Sequence, residues 1–245
     1  MNAPHPPLID YYSGEAERAG WVRQLFDRTA PDYDRVERAM AFGSGSWYRR
    51  CALSRAGLAP GMRVLDIGTG TGLTAREAAA LVGASGSVVG VDPSAGMLER
   101  AKVPSGVSLV RGAAEAIPAP PGAADFVAMG YALRHVADLS AAFREFFRVL
   151  APCGRVCLLE ITSPEGAVRR MVLKAYLRGV VPRMARLLGT HCDMPELMRY
   201  YWDTIEACAA PRAIEESLRT AGFVEVSRHV ELGVFSEYCA RKPRG

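Results

Sequence analysis

The sequence predicts an α/β fold built on a mostly parallel sheet, and three observations predict it. The stretch from Met62 to Gly72, M-R-V-L-D-I-G-T-G-T-G, runs from an apolar strand into a glycine turn, and Leu73 to Leu81 continues as a helix. Strands and helices then alternate: strand Ser87–Asp92 with helix Ser94–Lys102, strand Val107–Val110, strand Asp125–Met129 with helix Leu139–Leu150, and strand Arg155–Ile161. A last helix, Arg212–Ala221, leads to a hairpin of Val224–Val230 with Val234–Ala240. Such alternation implies parallel strands joined by right-handed crossovers.

The glycine turn decides the ligand class. Gly68, Gly70 and Gly72 alternate where backbone must approach something closely and φ can turn positive. Open α/β sheets bind ligands at the carboxyl end of such a strand. A dinucleotide fingerprint, G-x-G-x-x-G, would need its last glycine where Leu73 stands. Asp66 puts a carboxylate at the expected pocket mouth, which repels a pyrophosphate and suits an ammonium group. Asp92 ends the second strand 20 residues past Gly72, the place of an acceptor for ribose hydroxyls. Ribose plus a cationic amino acid, without phosphates, describes S-adenosyl-L-methionine. The purely structural alternative is a tight strand-to-helix connection.

The remaining segments frame this centre. Residues 1–12 read as a Pro-rich arm, and residues 14–58 as helical with breaks near Pro31 and at Gly43-Ser-Gly45. Val22, Leu25 and Phe26 share one face there, and Ser94 is the N-cap of the helix after the second strand. Phe143, Phe146, Phe147 and Leu150 mark a buried helix face, and Pro152-Cys-Gly154 a turn. From Ser163 to Pro211 runs a helical insertion that mixes apolar residues such as Val168, Met171, Val172 and Leu177 with Arg169, Arg170, Lys174, Arg178, Arg183 and Arg186. It reads as a cap over a substrate pocket with a solvated basic face. An amphipathic, Arg-rich helix also suits a membrane surface. No repeat or second domain is visible, so residues 1–245 read as one domain, with an arm and lid helices at 1–58 and the cap at 163–211.

Composition excludes several classes. The 245 residues are 49% hydrophobic and 23% charged, an ordinary globular balance. A net charge of +4 points to no nucleic-acid partner. No apolar run approaches the ~18 residues of a membrane helix, and no signal peptide is visible at the N-terminus. The six cysteines, Cys51, Cys153, Cys157, Cys192, Cys208 and Cys239, are scattered without a C-x-x-C pair, which suggests free thiols in a cytoplasmic protein and no metal site.

V-L-D-I-G-T-G-T-G followed by V-D-P-S-A-G-M-L resembles the class I S-adenosylmethionine-dependent methyltransferases. Phe26-Asp27, Ala30, Tyr33-Asp34, Phe42-Gly43, Tyr48-Arg49, Tyr131-Ala-Leu-Arg134-His135 and Leu159-Glu160-Ile-Thr extend the resemblance, over nearly the full length, to the ubiquinone/menaquinone biosynthesis C-methyltransferases. The resemblance implies a Rossmann-like class I methyltransferase: a mostly parallel seven-stranded sheet with a C-terminal antiparallel hairpin strand, a helical N-terminal lid and a helical cap. It implies a cofactor site of Asp66, Gly68, Thr69, Gly70, Gly72, Thr74, Asp92, Pro93, Met97, Ala113, Ala114 and Gly130, with Tyr33 reaching in from the lid. Glu37, Gly45, His135, the Ala-Pro-Cys-Gly at 151–154 and Ala113 depart from the family pattern, and those near the substrate leave the acceptor open.

The implied acceptor is a quinol, a phenol or a related aromatic small molecule, with O- or N-methylation as the alternative; a homodimer and peripheral membrane contact are compatible with it. Such an acceptor must be deprotonated, which calls for a base or a fixed cation. Arg134 and His135, at the carboxyl edge of the fourth strand, are the catalytic candidates: Arg134 as counter-charge to a phenolate, His135 as base. His191 and Glu160 are weaker candidates, and Tyr200, Tyr201 and Trp202 either line an aromatic cavity or pack the cap. A nicotinamide-dependent reductase is disfavoured because the Tyr-x-x-x-Lys spacing occurs only at Tyr238 and Lys242, in the terminal strand. A non-catalytic scaffold that binds the cofactor remains as the other rival.

Overall fold

The apolar run before the glycine turn forms β1 (Arg63–Ile67), buried from Val64 onward. The computed structural model describes residues 3–244 apart from 42, 188, 191 and 192. His191, Cys192 and Phe42, singled out in the sequence, lie outside the described residues. Four strands follow β1 in parallel: β2 (Ser87–Asp92), β3 (Val107–Arg111), β4 (Ala124–Gly130) and β5 (Leu150–Ile161). β6 (Val224–Glu231) and β7 (Phe235–Arg241) form the closing hairpin. The sheet has the order β3-β2-β1-β4-β5-β7-β6, and among these strands β7 runs opposite to the others. Phe126, Val127, Ala128 and Met129 of β4 are all buried, as a parallel strand covered on both faces requires.

Helices cover both faces. On one side, α5 (Leu139–Val149) and α9 (Pro211–Thr220) set Phe143, Phe146, Val149, Ile214 and Leu218 against Leu65, Val127, Met129 and Leu158. On the other, α2 (Gly45–Arg55) and α3 (Leu73–Val82) set Leu53, Ala75, Ala78 and Val82 against Val64, Val88, Phe126 and Leu159. Each buried Phe or Leu is worth ~1.5–3 kcal/mol. The arm, α1 (Glu15–Met40) and the insertion build a third core. The insertion consists of α6 (Ala167–Ala175), a π-helical turn (Tyr176–Val180), α7 (Val181–Leu187) and α8 (Met194–Ala207). Val22, Leu25, Val36, Leu177, Val181, Met198, Tyr200 and Trp202 pack together there, so lid and cap share one hydrophobic cluster.

Two local expectations are corrected. α1 does not break near Pro31 but runs through it. An interior proline costs ~3 kcal/mol; here Val22, Leu25, Ala30 and Val36 are buried on both sides of it. Asp27 also fastens the helix: its Oδ1 accepts from Ser94 Oγ at 2.5 Å and Gly96 N at 2.9 Å, at the start of α4 (Ala95–Arg100). The expected turn at Pro152–Gly154 lies inside β5. Leu150 pairs with Ala124 and Arg155 with Phe126, so residues 151–154 bulge out, with Cys153 at φ 64°. The Ser94 cap holds, with Met97 N donating to Ser94 Oγ at 3.0 Å.

Candidate functional site

Strand order reverses between β1 and β4, and a crevice opens at their carboxyl ends. The glycine turn forms its floor. Gly68 N and Thr69 N both donate to Val91 O, at 2.8 and 3.1 Å, which ties the turn to β2. Gly68, Gly70 and Gly72 all have positive φ. A side chain at Gly68 would overlap Ala132 and one at Gly72 would overlap Val103, whereas Gly70 has nothing within 4 Å where a side chain would point.

A cavity of about 270 Å³ stands above this floor. Ten of the cofactor-site and catalytic candidates line it: Tyr33, Gly68, Gly70, Asp92, Pro93, Met97, Ala113, Ala114, Gly130 and His135. Asp92 accepts from Gly70 N at 2.7 Å and Ser94 N at 2.8 Å, and burial pushes its carboxyl up to about 6. Thr69, Gly72 and Thr74 support the wall from behind and do not line it. Thr69 Oγ1 donates to Asp66, and the Thr74 hydroxyl fills the space a side chain at Gly130 would need.

Asp66 is not at the pocket mouth. It is fully buried and does not line the cavity, because β1 carries it into the sheet between Gly90 and Ala128. Thr69 holds one of its oxygens at 2.6 Å, the other has no partner, and burial pushes the carboxyl up to about 7.

Arg134 does not line the cavity either. Its guanidinium is fully buried in an ion pair with Glu160, donates to Thr204 Oγ1 at 3.3 Å and lies 5.6 Å from the centre of the Tyr201 ring. Arg134 and His135 occupy a 3₁₀ turn (Leu133–His135), and this turn points the two neighbours in different directions. Arg134 ties β4 to β5 and α8, and Glu160 is its counter-charge rather than a pocket acid.

His135 does reach the cavity. Its ring stacks at 5.4 and 5.7 Å on Tyr200 and Tyr201 and meets Phe26 edge-on at 5.1 Å. Nδ1 lies 3.3 Å from the Tyr200 hydroxyl, and Nε2 is buried without a partner. Burial first, and then the positive Arg134 beside it, push its pKa well below that of a free histidine. The ring is therefore neutral at physiological pH.

The sequence did not mark Phe26, Tyr131, Glu115 or Arg23 as site residues, yet all four line the cavity. Tyr131 follows β4 directly at φ 62°, a costly conformation for a tyrosine, and Arg49 sits 5.2 Å from its ring centre. Its position at a strand's carboxyl end was the available signal. Tyr201 lines the cavity and bonds Tyr33 hydroxyl to hydroxyl at 2.8 Å, whereas Trp202 is buried in the third core. Asp92, Glu115 and the exposed Arg23 are the charged groups among the described lining residues. An acid at the ribose position and a bare glycine floor fit a nucleoside better than a pyrophosphate.

A model of the ubiE/COQ5 methyltransferase family matches residues 13–242. The chain belongs to that family. It is an S-adenosylmethionine-dependent methyltransferase, which sets aside both the reductase and the non-catalytic scaffold. This ubiE/COQ5-family methyltransferase is 34% identical over 224 residues to a ubiquinone/menaquinone biosynthesis C-methyltransferase of Shewanella oneidensis, covering 88% of each chain. It is 32% identical over 216 residues to a 2-phytyl-1,4-naphtoquinone methyltransferase of Thermosynechococcus vestitus, covering 86% of this chain and 94% of that one. A solved methyltransferase structure from Aquifex aeolicus superposes with a TM-score of 0.61 at 19% identity, over 85% of this chain and 97% of the other, and shares its fold.

Proposed function

We propose that this enzyme methylates a ring carbon of a reduced quinone, with His135 as the general base. The observation that carries the proposal is the neutral His135 imidazole on the cavity wall, with Nε2 unpartnered. A hydroquinone carbon becomes nucleophilic when the neighbouring hydroxyl loses its proton, and a base within hydrogen-bond reach supplies that step. Arg134 contributes indirectly, because its charge and the burial of the site keep His135 free of a proton. Phe26, Tyr131 and Tyr201 give the cavity an aromatic lining suited to an aromatic ring. The names of the relatives, which act in quinone biosynthesis, support the same acceptor class.

S-adenosylmethionine supplies an electrophilic methyl group on a good leaving group. The chain therefore mainly orients the partners and excludes water. Asp92 would accept from the ribose hydroxyls, Gly68 and Gly70 would let the amino-acid end lie close, and Met97, Ala113 and Ala114 would flank the adenine. Tyr33 would close the pocket from α1.

A lipid-tailed acceptor has to be collected from a membrane, and α6 has a surface suited to that. Val168, Met171 and Val172 are 69%, 64% and 60% exposed beside Arg169, Arg170 and Lys174. No helix among the described residues is long and apolar enough to cross a membrane. The test of acceptor class is incubation with labelled cofactor and a panel of demethylquinols, simple phenols and heteroaromatic amines, followed by mass analysis of products. Turnover of the demethylquinols above the others supports the proposal. Exclusive turnover of amines sinks it.

A further inference from the structure

The register of β5 on β7 sets two cysteines directly opposite each other, Cys157 and Cys239. Hydrogen bonds at the two ends of the ladder fix its parity: Thr162 N donates to Val234 O and Lys242 N to Gly154 O, both at 2.8 Å. Hydrogen-bonded pairs therefore fall on even-numbered residues of β5, and Cys157–Cys239 occupies a non-hydrogen-bonded position. Antiparallel Cα atoms approach to ~4.5 Å at such positions, inside the ~4.4–6.8 Å that a disulfide spans. Both side chains lie on the same face of the sheet, in the cluster packed against α2.

Their surroundings differ. Cys157 is buried in the core between the sheet and α2, and its interaction with Cys239, followed by burial, holds its thiol above the ordinary range. Cys239 lines a groove of about 320 Å³ with Arg55, Arg155, Glu237 and Arg241. The interaction with Cys157, helped by Arg155 and Arg55, brings the Cys239 thiol below its ordinary value. Neither cysteine lines the cofactor cavity.

We propose that Cys157 and Cys239 form an oxidisable dithiol, with Cys239 the sulfur that meets a hydroperoxide and Cys157 the sulfur that resolves it. The Cys239 thiolate attacks one oxygen of the peroxide. The O–O bond breaks, hydroxide leaves with the electron pair, and Cys239 becomes a sulfenic acid. Cys157 then gives up its proton and attacks the Cys239 sulfur. The S–O bond breaks, water leaves, and a disulfide joins β5 to β7. The peroxide gains two electrons and the two thiols lose them.

The test uses the full chain, reduced, treated with hydrogen peroxide, alkylated and digested without reductant. The expected product is a cross-linked pair of peptides containing Cys157 and Cys239, short of two hydrogens and restored by dithiothreitol. Cys239 is expected to react at least about tenfold faster than Cys51, Cys153 or Cys208, because thiolate fraction and access set the rate. In C157S, Cys239 should accumulate as a sulfenic acid trapped by dimedone, and in C239S, Cys157 should stay reduced. Oxidation of Cys239 no faster than the other thiols overturns the proposal. So does its passage to sulfinic acid in the wild-type chain without joining Cys157, or a cross-link to a different cysteine.

Discussion

In the proposed mechanism, His135 is the side chain on which the chemistry turns. Replacing it with alanine removes a general base, a group worth ~10²–10⁴ in turnover. Asp92 and the glycine floor are untouched, so affinity for S-adenosylhomocysteine should stay within about twofold by calorimetry. The ring is held neutral by burial and by Arg134, so it takes up a proton only well below the usual histidine range. The acid limb of kcat/KM should therefore fall below the ~6.5 of a free histidine. A limb centred near that value would place a different, solvated group in the role. Arg134 makes a contrasting prediction. Arg134→Ala leaves Glu160 buried without its counter-charge, which costs ~3–5 kcal/mol in urea unfolding, whereas replacing both members together by apolar residues should be close to neutral. Full stability with lost turnover in Arg134→Ala would instead restore a direct contact with the acceptor.

At the scale of elements, the strand–turn–helix of β1 and α3 and the tip of β2 act as one unit. Asp92 joins them through Gly70 N and Ser94 N while keeping a face toward the cavity. Asp92→Ala should weaken S-adenosylhomocysteine binding by ~1.5–3 kcal/mol, a charge-assisted contact's worth. The free carboxyl is raised to about 6, and its ionised form is the better acceptor for ribose hydroxyls. Affinity should thus decline as pH falls through that value. Constant affinity down to about pH 5 would show that Asp92 does not meet the ribose. The exposed face of α6 is testable separately. The wild-type chain should sediment with anionic phospholipid vesicles more than with zwitterionic ones, and serine at Val168, Met171 and Val172 should release it. A wild-type chain that ignores anionic vesicles removes the membrane role and leaves the acceptor chemistry intact.

Across the whole molecule, what was legible in the chain is what depends on near neighbours. The β1–α3 unit, the glycine turn, the Ser94 cap and the cavity positions of Asp92 and His135 are local, and these are found where the pattern put them. Direction of approach is not local. Asp66 and Arg134 stand at the right strand ends but turn inward, because Gly90 and Ala128 flank one and Glu160 and Thr204 receive the other, residues brought there by other strands and helices. The aromatic wall needs α1 and α8 folded over the crevice, a long-range arrangement that spacing in α8 alone could not separate from core packing. Pro31 shows the same limit, its local penalty overcome by buried neighbours and the Asp27 anchor on α4.

Carbon methylation with His135 as the base is decided by the carbon-13 spectrum of the product formed from methyl-labelled cofactor and a reduced demethylnaphthoquinone. A labelled methyl bonded to ring carbon, formed by the wild-type chain and lost in His135→Ala, is the expected result. A labelled methoxy signal, or equal product from the His135→Ala variant, would contradict it.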